Sequence, residues 1–187
     1  MDNPIDLKYQ FIFDEIFQSS INASFSTRNP MYPIYNKNVI KPTGLCSDLK
    51  TLIEIYIDKF KRAEISEENH FAEIEHIARS ISTDNKYKEI LHGAAFRIGI
   101  AQKLLNLTLK YLWCMDKIKE PCHCPIDSIV INKIIATKPG ISLTNWTELD
   151  SIEDYRKCIT AIREIAYSQN KTIAQWELDV WNKKAIQ

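Results

Sequence analysis

A chain of 187 residues, 45% hydrophobic and 26% charged, has the make-up of a globular protein able to bury a core without staples. Lysine plus arginine and aspartate plus glutamate number 24 each, so the formal net charge is zero. That balance disfavours a general nucleic-acid coat or a membrane-surface binder, both of which need a basic surplus.

Four glycines leave little material for a phosphate-binding loop, and no apolar run is long enough to span a bilayer. The opening residues MDNPIDLKYQ lack the basic and apolar regions of a secretory signal, so a cytoplasmic protein is expected. The richness in Lys, Asn and Ile suits an AT-rich, bacterial genome. The cysteines are Cys46, Cys114, Cys122, Cys124 and Cys158. An odd number without a signal fits reduced thiols better than a disulfide framework.

The chain reads as helical throughout. In KYQFIFDEIFQ, Phe13, Ile16 and Phe17 fall at helical spacing and predict a helix over about residues 5–19. A long ordered loop is expected over about 20–45, where Pro30, Pro33 and Pro42 interrupt any period, with a short strand at Asn38 to Ile40. Ser47 is placed to cap the next helix, whose apolar face is Leu49, Leu52, Ile53, Tyr56 and Phe60. Ser66 opens another, with Glu67 and Glu68 in its first turn and Phe71, Ile74, Ala78 and Ile81 facing inward. The residues STDN at 82–85 are expected to stop it and cap a long central helix over about 86–117. Pro125 suits a first helical position with Asp127 in the same turn, although the β-branched run Ile129 to Ile131 also allows a strand. Ser151 and Thr172 cap the last two helices. The final helix is expected to dock through Ile173, Trp176, Val180 and Trp181.

These elements predict an all-α fold over residues 1–187, a single-domain helical bundle around the hydrophobic central helix. TKPGIS resembles the hairpin of helix-hairpin-helix DNA-binding proteins over Pro139 to Ile141. The second glycine of that hairpin is Ser142 here and no basic helix follows promptly, so no DNA-contacting residue is carried over.

The central helix carries the most informative pattern. His92, Gly99, Lys103, Asn106, Lys110 and Lys117 share one narrow sector, while leucines and isoleucines cover most of the rest. Such a stripe is either a solvated edge, with lysine stems covering apolar surface, or the lining of a cleft. In a cleft, Lys103, Asn106 and Lys110 would receive a small anion: phosphate, nucleotide or carboxylate. Glu177, at the centre of the last helix's apolar arc, needs a cationic partner if buried, and Lys103, Lys110 and Arg97 carry the right charge. His123 and Asp127 are further polar candidates for the same site.

PCHC offers adjacent Cys122, His123 and Cys124, but structural zinc sites prefer ligands two to four residues apart, so no metal is expected. The sequence holds no Walker loop, nucleophile elbow, HExxH or dinucleotide fingerprint, which leaves no cofactor expected and no reaction class legible. Two other classes stay open. One is a protein-interaction module or homo-oligomer using exposed aromatics such as Tyr32, Tyr35 and Trp146. The other is a nucleic-acid-associated protein using a local lysine patch.

Overall fold

The computed structural model describes residues 6–25, 44–88, 90, 91, 93 and 95–185. Their regular structure is helical, with no strand among them: α1 (Leu7–Phe25), α2 (Leu45–Arg62), α3 (Glu67–Thr83), α4 (Ile98–Cys114), α5 (Ser128–Thr137), α6 (Ile152–Ser168) and α7 (Ile173–Ala185). A short 3-10 turn, Trp146–Glu148, precedes α6.

α4 is the axis of the arrangement. Leu104, Leu105, Leu109 and Ile100 are fully buried, and so are Gln102 and Asn106, so the helix is enclosed on nearly every side. α1 lies along it, burying Phe13, Ile16, Phe17 and Ile21 together with the small Ser20 and Ser24. α3 and α6 pack on other faces of α4, and α7 docks on α6. One cluster of buried apolar side chains runs from Phe13 of α1 to Trp176 of α7.

Local chemistry explains several boundaries. Ser66 Oγ accepts from Asn69 N–H at 3.2 Å, Ser151 Oγ from Asp154 N–H at 3.1 Å, and Thr172 Oγ1 from Gln175 N–H at 3.2 Å. Each satisfies a helix-start donor that would otherwise be orphaned. Ser47 does not cap α2: the helix begins earlier, after Gly44, and Ser47 lies inside its first turn. Gly44 holds φ 116°, a conformation open to glycine.

The central helix is shorter than its sequence pattern suggests. It starts at Ile98 and ends at Cys114 rather than spanning about 86–117, and Lys117 lies exposed beyond it. Tertiary bonds pull the preceding segment out of a helix. Tyr87 OH donates to Asp48 of α2 at 2.6 Å, and Phe96 N–H donates to Ser82 Oγ of α3 at 2.8 Å. Arg97 is extended, and its guanidinium donates to the Thr147 carbonyl at 2.7 Å beside Asp150. Gly99 fixes the same junction. Its N–H donates to Leu149 O at 2.8 Å, and a Cβ there would lie 1.8 Å from the Trp146 carbonyl.

Other expectations are corrected in the same way. α1 runs to Phe25, so the first residues of the expected loop at 20–45 are helical, and 45 opens α2. The strand expected at Asn38 to Ile40 lies outside the described residues, as do Tyr32, Tyr35 and His92. Ile129 to Ile131 are helical within α5, because Asp127 caps that turn. Gly140 turns the chain at φ 91°, but no helix follows until Ile152, so the helix-hairpin-helix geometry is absent from this segment.

Candidate functional site

The polar stripe of α4 divides between two environments. Asn106, with Gln102 one turn earlier, faces a closed internal network. Lys103 and Lys110 line a recess.

The internal network is saturated. Gln102 clamps the strap before α5: its side-chain oxygen accepts from Ile126 N–H at 3.0 Å and its amide donates to Ile126 O at 2.7 Å. Asn106 Nδ2 donates to Tyr155 OH at 2.9 Å, so its Oδ1 accepts from His70 Nε2 at 2.8 Å. With the His70 proton on Nε2, Nδ1 accepts from Tyr56 OH at 2.6 Å. The same logic continues outward. Tyr155 OH donates to His123 Nδ1 at 3.0 Å, and His123 Nε2–H donates to Glu67 at 2.9 Å. Glu67 also pairs with Arg163 of α6. Thus every bond from Tyr56 to Glu67 runs in one direction, and both imidazoles are neutral.

Burial supports that protonation state. It is the main cause pushing His70 down to about 3, with the neighbouring His123 acting in the same direction. Burial also lowers His123, against an opposing pull from Glu67. His123 is therefore a structural member of the network rather than a loop histidine beside Asp127.

The recess lies on the neighbouring face of α4. Lys103, Leu107 and Lys110 of α4, Pro125 and Asp127 of the strap, and Glu177 of α7 line a space of about 160 Å³. Lys110 Nζ donates to Glu177 Oε1 at 2.9 Å and lies 2.7 Å from Oε2. Only the first contact has hydrogen-bond geometry, so Oε2, though held in the ion pair, lacks a donor. Burial pushes the Glu177 carboxyl up, and Lys110 offsets only part of that.

Lys103 differs from Lys110. Its residue is 9% exposed, yet its ammonium makes no hydrogen bond among the described residues. Asp127 Oδ2 is 4.0 Å away, beyond hydrogen-bond range, and the Trp146 ring lies 4.0 Å beneath the charge. Cation–π attraction offsets part of the desolvation, on the order of 1–2 kcal/mol, but satisfies none of the three N–H donors. Burial lowers the Lys103 pKa, and the Asp127 charge opposes this.

Of the sequence candidates, Lys103, Lys110, Asp127 and Glu177 meet in the recess; Asn106 and His123 belong to the internal network. Two expected aromatics are corrected. Trp146 is buried under Lys103 rather than exposed for a partner, because the 3-10 turn packs on Gly99. Trp181 is 46% exposed at the recess rim, near Lys110, while Trp176 carries the docking of α7.

Sequence reading missed Gln102, His70, Tyr56 and Tyr155. A signal existed for two of them. Gln102 precedes Asn106 by four residues, and His70 precedes Ile74 by four on the buried face of α3.

His70, Cys122 and His123 bring ligand atoms within 4.8 Å of one another. The set excludes Cys114 and Cys158, the residues that PCHC would have needed to complete a zinc site. All four ring nitrogens already hold hydrogen bonds, and burial raises the Cys122 thiol to about 12. A metal would have to displace at least one bond at each histidine. None of the five cysteines is in a disulfide.

No helix among the described residues is long and apolar enough to cross a membrane. The sequence matches no protein-family model, and neither curated proteins nor solved structures give a significant match.

Proposed function

We propose that the protein binds a small carboxylate-bearing ligand in the recess between α4, α7 and the strap at Pro125 to Asp127. One observation carries this reading: Lys103, 9% exposed as a residue, brings its ammonium to the recess without a hydrogen-bond acceptor among the described residues. Holding a charge largely out of water without a hydrogen-bond partner is costly, and an acceptor brought by a ligand would offset that cost. The size of the recess narrows the anion. About 160 Å³ is below the ~300–1,000 Å³ typical of drug-sized pockets, so an entire nucleotide would not be enclosed. The reading is of a binding protein, and no reacting group beyond Lys103 is assigned.

Thermal unfolding in millimolar acetate, propionate, lactate, pyruvate or phosphate tests the proposal. A ligand at 100 times its Kd stabilises the native state by about 2.7 kcal/mol. At least one carboxylate should raise the midpoint of the wild-type protein, and Lys103→Met should abolish the shift while remaining folded. Equal shifts in wild type and Lys103→Met, or none with any carboxylate, amino acids included, would reject the site.

A protein-docking reading is favoured by a different feature. Leu7 and Phe11 are 77% and 64% exposed, one turn apart on α1. A solution mass equal to one chain across micromolar concentrations would reject self-association through that face.

A further inference from the structure

The proposed carboxylate site fixes one end of a ligand; the opposite wall constrains the other. Asp127 spends Oδ1 on α5, accepting from Ile129 N–H at 2.9 Å and Val130 N–H at 3.2 Å. Among the described residues its Oδ2 accepts no hydrogen bond, and its charged neighbour is Lys103 Nζ, 4.0 Å away. Lys110 and Glu177 neutralise each other. The recess therefore sets the Lys103 ammonium beside Asp127 Oδ2, both short of hydrogen bonds, while Glu177 Oε2, also without a donor, is held in the ion pair with Lys110, and the four charges sum to zero.

That pairing discriminates between ligand classes. A phosphate dianion would set its charge against Asp127 and Glu177 with only Lys103 unpaired to receive it. A simple amine would satisfy Asp127 but crowd Lys103 with a like charge. A plain carboxylate would satisfy Lys103 but lie close to Asp127. At separations of about 4 Å these terms reach several kcal/mol in a partly buried site. A ligand with a carboxylate and an ammonium on one carbon satisfies both groups at once. The 4.0 Å gap is too long for a direct hydrogen bond and short enough for both groups to address one such head. Leu107, Pro125 and Ala23 supply apolar wall, and the rings of Tyr111 and Trp181 complete it.

We infer that the recess takes a free α-amino acid with a small aliphatic side chain, its carboxylate on Lys103 and its ammonium on Asp127 Oδ2. The inference rests on the binding site proposed above and adds the second charge of the ligand. Specificity would come from mutual exclusion: either half of the molecule alone leaves one charge of the recess facing a like charge or no partner.

Calorimetric titration of the full chain tests it with L-alanine, L-valine and L-leucine. Each is matched with its deaminated acid and decarboxylated amine (for valine, isovalerate and isobutylamine). At least one amino acid should bind about tenfold or more tightly than both of its halves, a factor worth about 1.4 kcal/mol. Asp127→Asn keeps an oxygen to cap α5 and removes the charge, so it should erase the preference for the amino acid over the acid. Lys103→Met should abolish binding of both.

If isovalerate binds as tightly as valine, and Asp127→Asn changes neither, the amino-acid assignment is wrong and the carboxylate site stands. If wild type and Lys103→Met bind the amino acids and their acids alike, both assignments fall. If none of the three amino acids binds, this inference falls, and the carboxylate panel decides the site independently.

Discussion

Two polar regions touch the same helix and are built on opposite terms. On one side of α4, Gln102 and Asn106 hold a network in which the donors and acceptors from Tyr56 to Glu67 are matched. On the neighbouring face, Lys103, Asp127 and Glu177 Oε2 line a recess with their hydrogen bonding incomplete among the described residues. A satisfied buried network specifies and rigidifies a core; an unsatisfied one costs stability unless something else completes it. Burial alone therefore does not separate structure from function along this helix. Completeness of hydrogen bonding is the better guide: it sets Lys110 in the framework and is the ground on which Lys103 is proposed to meet a ligand.

The largest effect should come from Lys110. Lys110→Met leaves Glu177, 3% exposed, without its counter-charge. Breaking a buried pair from one side costs about 3–5 kcal/mol. Because burial already raises the Glu177 carboxyl, the deficit should shrink as pH falls and that carboxyl protonates. Replacing both partners, Lys110→Met with Glu177→Leu, should recover most of the loss in urea unfolding. A loss that persists in the double variant would move the pair out of the framework role.

Asn106→Leu comes next. It preserves volume but strips His70 Nε2–H of its acceptor and Tyr155 of a donor. Unsatisfied buried groups cost about 1–3 kcal/mol each, so a loss of about 3 kcal/mol is expected. A wild-type unfolding midpoint would show that the network contributes nothing.

Acid should act through the same network. His70 and His123 both have pKa values lowered by burial, so the unfolded chain binds their protons first. Their contribution to stability is complete above the unfolded value near 6.5. It is lost as pH falls from there toward about 3, where His70 itself protonates in the folded state. Each proton taken up on unfolding corresponds to about 1.4 kcal/mol per pH unit. Unfolding free energies at pH 7.5, 6 and 5 should decline with that slope, between one and two protons. A flat profile over that range would contradict neutral histidines.

Much of this architecture can be read from the sequence, because periodicity reports burial. The apolar faces of α3, α6 and α7, the caps Ser66, Ser151 and Thr172, and the need of Glu177 for a lysine follow from spacing and charge alone. The recess was half legible. Lys103 and Lys110 stand out as cations on an apolar helix, but Asn106, between them in the same sector, turns to the opposite chemistry. A sector of a helical wheel tens of degrees wide cannot resolve neighbours that face different partners. The false extension of α4 has a similar origin. Residues 86–97 lack a strong helix breaker apart from Gly93, and what stops the helix is distant: Asp48, Ser82, Thr147 and Leu149. The burial of Trp146 escapes the sequence for the same reason, since the Gly99 contact that buries it joins residues nearly fifty positions apart.

The division between the two lysines is tested most directly by the urea-unfolding free energy of Lys103→Met in the absence of ligand. Methionine keeps most of the apolar stem and removes an ammonium that makes no hydrogen bond among the described residues. The change forfeits the contact with Trp146 and a long-range attraction to Asp127, and it ends the cost of burying the charge. Stability within about 1 kcal/mol of wild type, or above it, is therefore expected. A loss of about 3 kcal/mol, matching Lys110→Met, would make Lys103 a second structural ion pair and remove the reason for placing a ligand in the recess.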